Sequence, residues 1–171
     1  GRMGRSIATL ALADSAFTVG AALEAAGHEA IGHDYGTVLG RSVKLQVPVV
    51  DDPHDAMKRG DVLVEFTAPA VTVDHLQLAQ QLGKPMVIGT TGLSEAQLGT
   101  LRSAAKSIPI VFSPNMSVGV NVLFELAQAA ALRLGTTFDV EVVESHHHQK
   151  KDAPSGTAKR LADVLALVRK Q

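Results

Sequence analysis

Four short apolar runs, VKLQVPVV (43–50), DVLVEF (61–66), PMVIG (85–89) and IPIVF (108–112), constrain this chain most. They are β-branched and lie between turn residues, as buried strands do, and helical segments separate most of them. Strand and helix in alternation imply an α/β fold with a doubly wound parallel sheet. The helices carry their own punctuation. Pro69 suits the first turn of a helix bearing Val73, Leu76, Ala79 and Leu82, and Gly83 ends it. Ser94 with Gln97 makes a capping box before Leu98, Leu101 and Ala105. His54 and His75 fall inside such units and read as surface or packing residues.

The chain opens on Gly1-Arg2-Met3-Gly4 and runs straight into a segment of helical spacing, Ile7, Leu10 and Ala11 with Ala8 and Leu12 nearby. Such a turn is the second half of a dinucleotide-binding fingerprint, whose glycines admit a pyrophosphate to the helix N-terminus. The strand and first glycine that would precede it are not in this sequence, so residues 1–117 are expected to form a dinucleotide-binding domain lacking its first strand. AFTVGAAL (16–23) is a strand-like run that ends at Glu24, about 20 residues past the turn. A carboxylate there can hold the adenosine ribose, or simply close a strand. His28, His33 and Asp34 lie in a glycine-rich loop and are expected to be solvated.

In an open α/β sheet the ligand sits beyond the carboxyl ends of the strands. Thr67, then Gly89-Thr90-Thr91-Gly92, then Ser113-Pro114-Asn115-Met116 follow successive runs at those ends. Small and hydroxyl residues there let backbone groups reach a flat ring.

The densest polar chemistry is at 144–158, ESHHHQKKDAPSGTA. Before it, TFDVEVVE (137–144) alternates Phe138, Val140 and Val142 against Thr137, Asp139, Glu141 and Val143, which predicts a strand with one buried face. After it, Ala158, Leu161, Ala162, Leu165 and Val168 recur at helical spacing, with Ser155 as N-cap. The N–H groups of Gly156 and Thr157 then open a helix, a setting that binds carboxylate or phosphate. Lys150 can face the same anion, and His146, His147 and His148 titrate near neutral pH. Neighbours on an extended chain point to opposite faces, so a metal would find only His146 and His148 on one side, and no metal site is assigned.

HHHQKKDAPSGTA resembles the motif of the dihydrodipicolinate reductase family, more fully 4-hydroxy-tetrahydrodipicolinate reductase. The family pattern, roughly E-x-H-H-x-x-K-x-D-A-P-S-G-T-A, is matched at every fixed position by residues 144–158, and Gly1-Arg2-Met3-Gly4 matches the end of its glycine turn. The resemblance implies NADH or NADPH as cofactor and a cyclic dicarboxylate as substrate, reduced in the diaminopimelate route of lysine biosynthesis. It implies His146 as acid/base residue, Lys150 as proton donor, His147 as an aid to binding, and Gly156 with Thr157 as holders of a substrate carboxylate. Gly1, Arg2, Met3 and Glu24 would meet the dinucleotide, and Gly89, Thr90, Thr91, Ser113, Pro114, Asn115 and Met116 the nicotinamide side. Two departures stand out. Ala25 follows Glu24 where the family often has a basic residue for a 2'-phosphate, which points toward NADH, and Ala68 replaces the basic residue of the F-T-R-P turn.

Residues 118–171 are expected to begin a substrate-binding and catalytic domain, of which one helix, one strand and one further helix are only part. Val120, Leu123, Leu126, Ala127, Ala130 and Leu134 stripe the helix that leads into it. That region is interrupted by Asn121, Glu125, Gln128 and Arg133, which reads against a membrane span. Sixteen basic against 17 acidic residues leave no basic field for nucleic acid or anionic lipid, and the absence of cysteine excludes disulfides and thiol catalysis. The expectation is a cytoplasmic protein, homotetrameric at full length by the resemblance. Two other readings stand beside it: an inactive or cofactor-binding-only fragment, and a metal-dependent hydrolase built on the histidine cluster.

Overall fold

The computed structural model describes residues 1–146, 148 and 153–169. The chain divides into two units, Gly1–Phe112 and Ser113–Gln171.

The first unit alternates helix and strand throughout: α1 (Arg2–Ala11), β1 (Ala22–Leu23), α2 (Tyr35–Val38), β2 (Val49–Val50), α3 (Pro53–Lys58), β3 (Leu63–Glu65), α4 (Pro69–Leu82), β4 (Met86–Ile88), α5 (Glu95–Ala104) and β5 (Ile110–Phe112). All strand pairing is parallel, as the alternation requires, but it falls into two sheets, β1-β2 and β3-β4-β5. The main core lies on one face of the larger sheet, where Met86 and Ile88 pack with Leu76 and Ala79 of α4 and Leu101 and Ala104 of α5. Each large side chain so buried contributes roughly 1.5–3 kcal/mol. The other face departs from expectation. Val64, Val87 and Val111 share one row of it, and Val64 and Val111 are 47% and 61% exposed, because no helix of the described residues covers that row.

Several expected strands are shorter than their apolar runs. The run at 16–23 forms a ladder only at Ala22–Leu23, and that at 43–50 only at Val49–Val50. Gln46 there has φ 59°, which breaks an extended chain, and Pro48 has no N–H for a ladder. Asp34 also differs from the solvated role expected of it. Its carboxylate caps α2, accepting from Thr37 N (3.3 Å), and accepts from Leu45 N (3.1 Å), which holds it below the usual aspartate range although burial opposes this.

Local signals in the helices are realised. Pro69 opens α4, Gly83 closes it at φ 64°, a left-handed position that suits glycine, and Ser94 and Gln97 complete both bonds of their capping box.

Among the described residues the second unit consists of α6 (Val118–Leu134), a 3-10 turn at Gly135–Thr137, and α7 (Gly156–Arg169). Ser117 caps α6 and Ser155 caps α7, through Val120 N (3.5 Å) and Ala158 N (3.0 Å). Phe124 and Ala131 of α6 and Val164 of α7 are its buried apolar residues. By length and composition, Val118–Thr137 is apolar enough to cross a membrane, although Glu125 and Arg133 lie on it.

The strand expected at 137–144 is absent. Residues 139–146 carry no strand, and Phe138, Val140 and Val142 are 53%, 42% and 40% exposed. A strand needs a ladder partner as well as an alternating pattern, and among the described residues this unit has no second strand.

Candidate functional site

In the first unit, α1 starts immediately after Gly1, whose carbonyl accepts the first helical bond from Arg5 N (3.1 Å). The N–H groups of Arg2, Met3 and Gly4 thus form the exposed first turn. Glu24 directly follows β1, and its Oε2 lies 2.9 Å from the Gly1 amino nitrogen. The dinucleotide-binding candidates Gly1 and Glu24 are therefore together, with Arg2 and Met3 in the adjoining turn. A helix N-terminus with no side-chain cap beside a strand-end carboxylate is the donor and acceptor set that a pyrophosphate and a ribose require. These residues fit the cofactor.

At the carboxyl ends of β3 and β4 is a polar network that involves two residues the sequence reading left aside. Glu65, only 2% exposed, accepts from His75 Nδ1 (2.6 Å), Thr67 N (3.0 Å) and the Thr67 hydroxyl. Burial pushes the Glu65 carboxyl up, but the His75 and Thr67 hydrogen bonds outweigh it and bring the net value below the ordinary one. Ionised Glu65 can only accept, so Nδ1 of His75 carries the shared proton. Thr72, fully buried, lies 3.5 Å from Glu65 Oε1 and donates to the Thr90 hydroxyl (2.8 Å). Thr90, a cofactor candidate, is 3% exposed and its hydroxyl is engaged inward by Thr72, so the accessible parts of this loop are its neighbours Gly89 and Thr91. Gly89 lies against Phe66, whose ring a Cβ would overlap, and Thr91 is exposed. His75 is thus a buried residue hydrogen-bonded to a carboxylate; His54 is exposed.

In the second unit, two candidate groups far apart in sequence meet. Asn115 Nδ2 donates to Thr157 Oγ1 (3.0 Å), and a Cβ on Gly156 would stand 3.6 Å from Pro114. The 113–117 loop is held by its own bonds: Ser113 Oγ donates to Asn115 O (2.7 Å), and Ser117 N donates to Asn115 Oδ1 (2.9 Å). Asn121, one turn into α6, donates to Asn115 O (3.1 Å) and Ser117 O (2.9 Å), a bracing role that its sequence position did not disclose. Met116 is 38% exposed.

Glu144, which heads the motif, is a further residue to which the sequence reading gave no role. It accepts from Ser155 N (2.7 Å), from Ser155 Oγ and from His146 Nε2 (2.8 Å). The Ser155 hydroxyl and His146 lead the causes that hold its carboxyl down at about 2. One carboxylate thereby ties the candidate acid/base residue to the cap of the helix that begins at Gly156. The signal that could have found it was its place at the head of the His-rich motif. Lys150 and His147, with their assigned roles, lie outside the described residues.

Residues 1–116 match the family model for the N-terminus of dihydrodipicolinate reductase, and residues 119–171 match that for its C-terminus. The chain belongs to the dihydrodipicolinate reductase family. Among curated members, 4-hydroxy-tetrahydrodipicolinate reductase of Aromatoleum aromaticum is 45% identical over 97% of this chain and 59% of its own length. That of Anaeromyxobacter dehalogenans is 48% identical over 97% of this chain and 61% of its own. A solved family structure, described as dipicolinate-bound dihydrodipicolinate reductase from Paenisporosarcina sp. TG-14, superposes with TM-score 0.75 at 30% identity, over 99% of this chain and 63% of that one. The chain therefore spans about three-fifths of the relatives it matches.

Proposed function

We propose that this chain carries the cofactor-binding and catalytic residues of a 4-hydroxy-tetrahydrodipicolinate reductase, which uses NADH or NADPH to form tetrahydrodipicolinate with loss of water, in the diaminopimelate route to lysine. The observation that carries this reading is the Asn115–Thr157 hydrogen bond (3.0 Å), which puts a nicotinamide-side candidate against a substrate-carboxylate candidate. Family membership favours it over a metal-dependent hydrolase.

The start of α1 holds the pyrophosphate and Glu24 the adenosine ribose. Gly89, Thr90, Thr91 and residues 113–116 line the nicotinamide side. When bound, the reduced nicotinamide supplies the hydride. Gly156 and Thr157 receive one carboxylate of the cyclic substrate through the first turn of α7, where the helix dipole favours negative charge. His147 assists that binding. Glu144 accepts the Nε2 proton of His146 and leaves Nδ1 as the nitrogen that exchanges a proton with substrate. Lys150, near two substrate carboxylates, stays protonated and donates. The substrate is a small cyclic dicarboxylate, the compartment the cytoplasm, the full-length assembly a homotetramer, and neither membrane nor nucleic acid is a partner. Ala25 after Glu24 favours NADH.

The test is substrate-dependent oxidation of NADH and NADPH, followed side by side, for the chain and for Lys150→Ala. Turnover should fall by about 2 to 5 kcal/mol of lost charge pairing while NADH affinity is unchanged. Equal losses in both would defeat the division of roles. A chain that binds NADH without turnover would support the cofactor-binding-only reading instead.

A further inference from the structure

The reductase reading gives no role to a buried carboxylate and its histidine at the ends of β3 and α4's second turn. Glu65 and His75 are both buried and meet at 2.6 Å, and a well-packed apolar pair would hold such a place as well or better. What an apolar pair could not do is orient hydroxyl groups. The Glu65 carboxylate, an acceptor only, takes the N–H and O–H of Thr67 at one oxygen and His75 at the other. Thr72 gives its one hydroxyl proton to Thr90 at 2.8 Å and packs at 3.5 Å against Glu65 Oε1 and the Thr67 hydroxyl that this carboxylate orients. The backbone repeats the linkage, since Gly89 N donates to the Glu65 carbonyl at 2.9 Å. Thr90 is thus held from below through its side chain, and Gly89 from the strand edge.

We propose that Glu65, His75 and Thr72 are positioning residues for the loop Gly89–Thr91, setting the height of its backbone for the nicotinamide. This rests on the reading of that loop as part of the cofactor site. None of the three touches the reacting atoms. Their effect passes through Thr90, whose buried side chain anchors the loop while its less buried neighbours Gly89 and Thr91 present backbone to the ligand.

The test is fluorescence titration of the chain with NADH, alongside thermal melting, for Thr72→Val, Thr72→Ser and Glu65→Gln. Thr72→Val keeps the shape and removes the hydroxyl, and should weaken NADH binding about tenfold, the worth of one well-made hydrogen bond. Thr72→Ser restores the hydroxyl and should return affinity to within about twofold of the unsubstituted chain. Glu65→Gln keeps the side-chain outline while removing the charge, and should weaken binding in the same direction. A folded Thr72→Val chain with unchanged NADH affinity overturns the positioning role, as does lost affinity that serine does not rescue. If the unsubstituted chain binds neither NADH nor NADPH, the cofactor reading falls first and the positioning role falls with it.

Discussion

Two Glu–His pairs of nearly equal length occur in this chain, and their surroundings give them opposite uses. Glu65 and His75 meet at 2.6 Å with side chains 2% and 10% exposed; Glu144 and His146 meet at 2.8 Å with side chains 25% and 39% exposed. The first pair is shielded from solvent, so removing either partner leaves the other without its hydrogen bond in a desolvated place. It is suited to holding geometry. The second stands where water and a substrate can reach the ring, so the carboxylate can orient the imidazole while the imidazole remains able to trade protons. Depth, more than the identity of the partners, separates a brace from an acid/base residue.

Breaking the buried pair should have the largest effect. His75→Leu leaves the Glu65 carboxylate without its main partner, and denaturant unfolding should show a loss of about 3 to 5 kcal/mol. A loss below that of an ordinary surface change would mean that burial is not what distinguishes the pair. For the exposed pair, Glu144→Gln should barely alter NADH binding yet lower turnover by up to about a hundredfold, as expected when a reacting group loses its orientation. Unchanged turnover would remove Glu144 from the mechanism.

Ser94→Ala offers a scale for both. It deletes one half of the α5 capping box and should cost about 1 kcal/mol in the same unfolding experiment. The smallest effect concerns pH. Glu144 is depressed in the folded chain, so its contribution to stability is fully present above its ordinary value of 4.5 and disappears as pH falls through about 2. Carboxyl NMR should give a midpoint near 2. A midpoint at the ordinary glutamate value would show that Ser155 and His146 do not hold it in solution.

Features written in consecutive residues were readable in advance. The capping box at Ser94 and Gln97, the Pro69 start and Gly83 end of α4, and the serine cap of α7 depend on contacts within one turn, and the sequence states them directly. The strand pattern at 137–144 was just as clear and led to the wrong element, because a strand's hydrogen bonds belong to its neighbour. The cofactor and substrate candidates came from spacing and from a specific motif. Their bracing residues did not: Asn121 and Thr72 carry no signal apart from what they touch, and Glu144 carries only its place at the head of the motif.

By itself, the sequence determined the alternation of parallel strands and helices, the ends of most helices and the residue types gathered at 144–158, since periodicity and capping act over short separations. Tertiary structure alone decided that Glu65 would find His75 ten residues away on another element, that Thr90 would turn its side chain inward, and that Asn115 would meet Thr157 across 42 residues. Those choices depend on which side chains share a desolvated space, where an unpaired polar group is too costly to keep, and no local pattern encodes that.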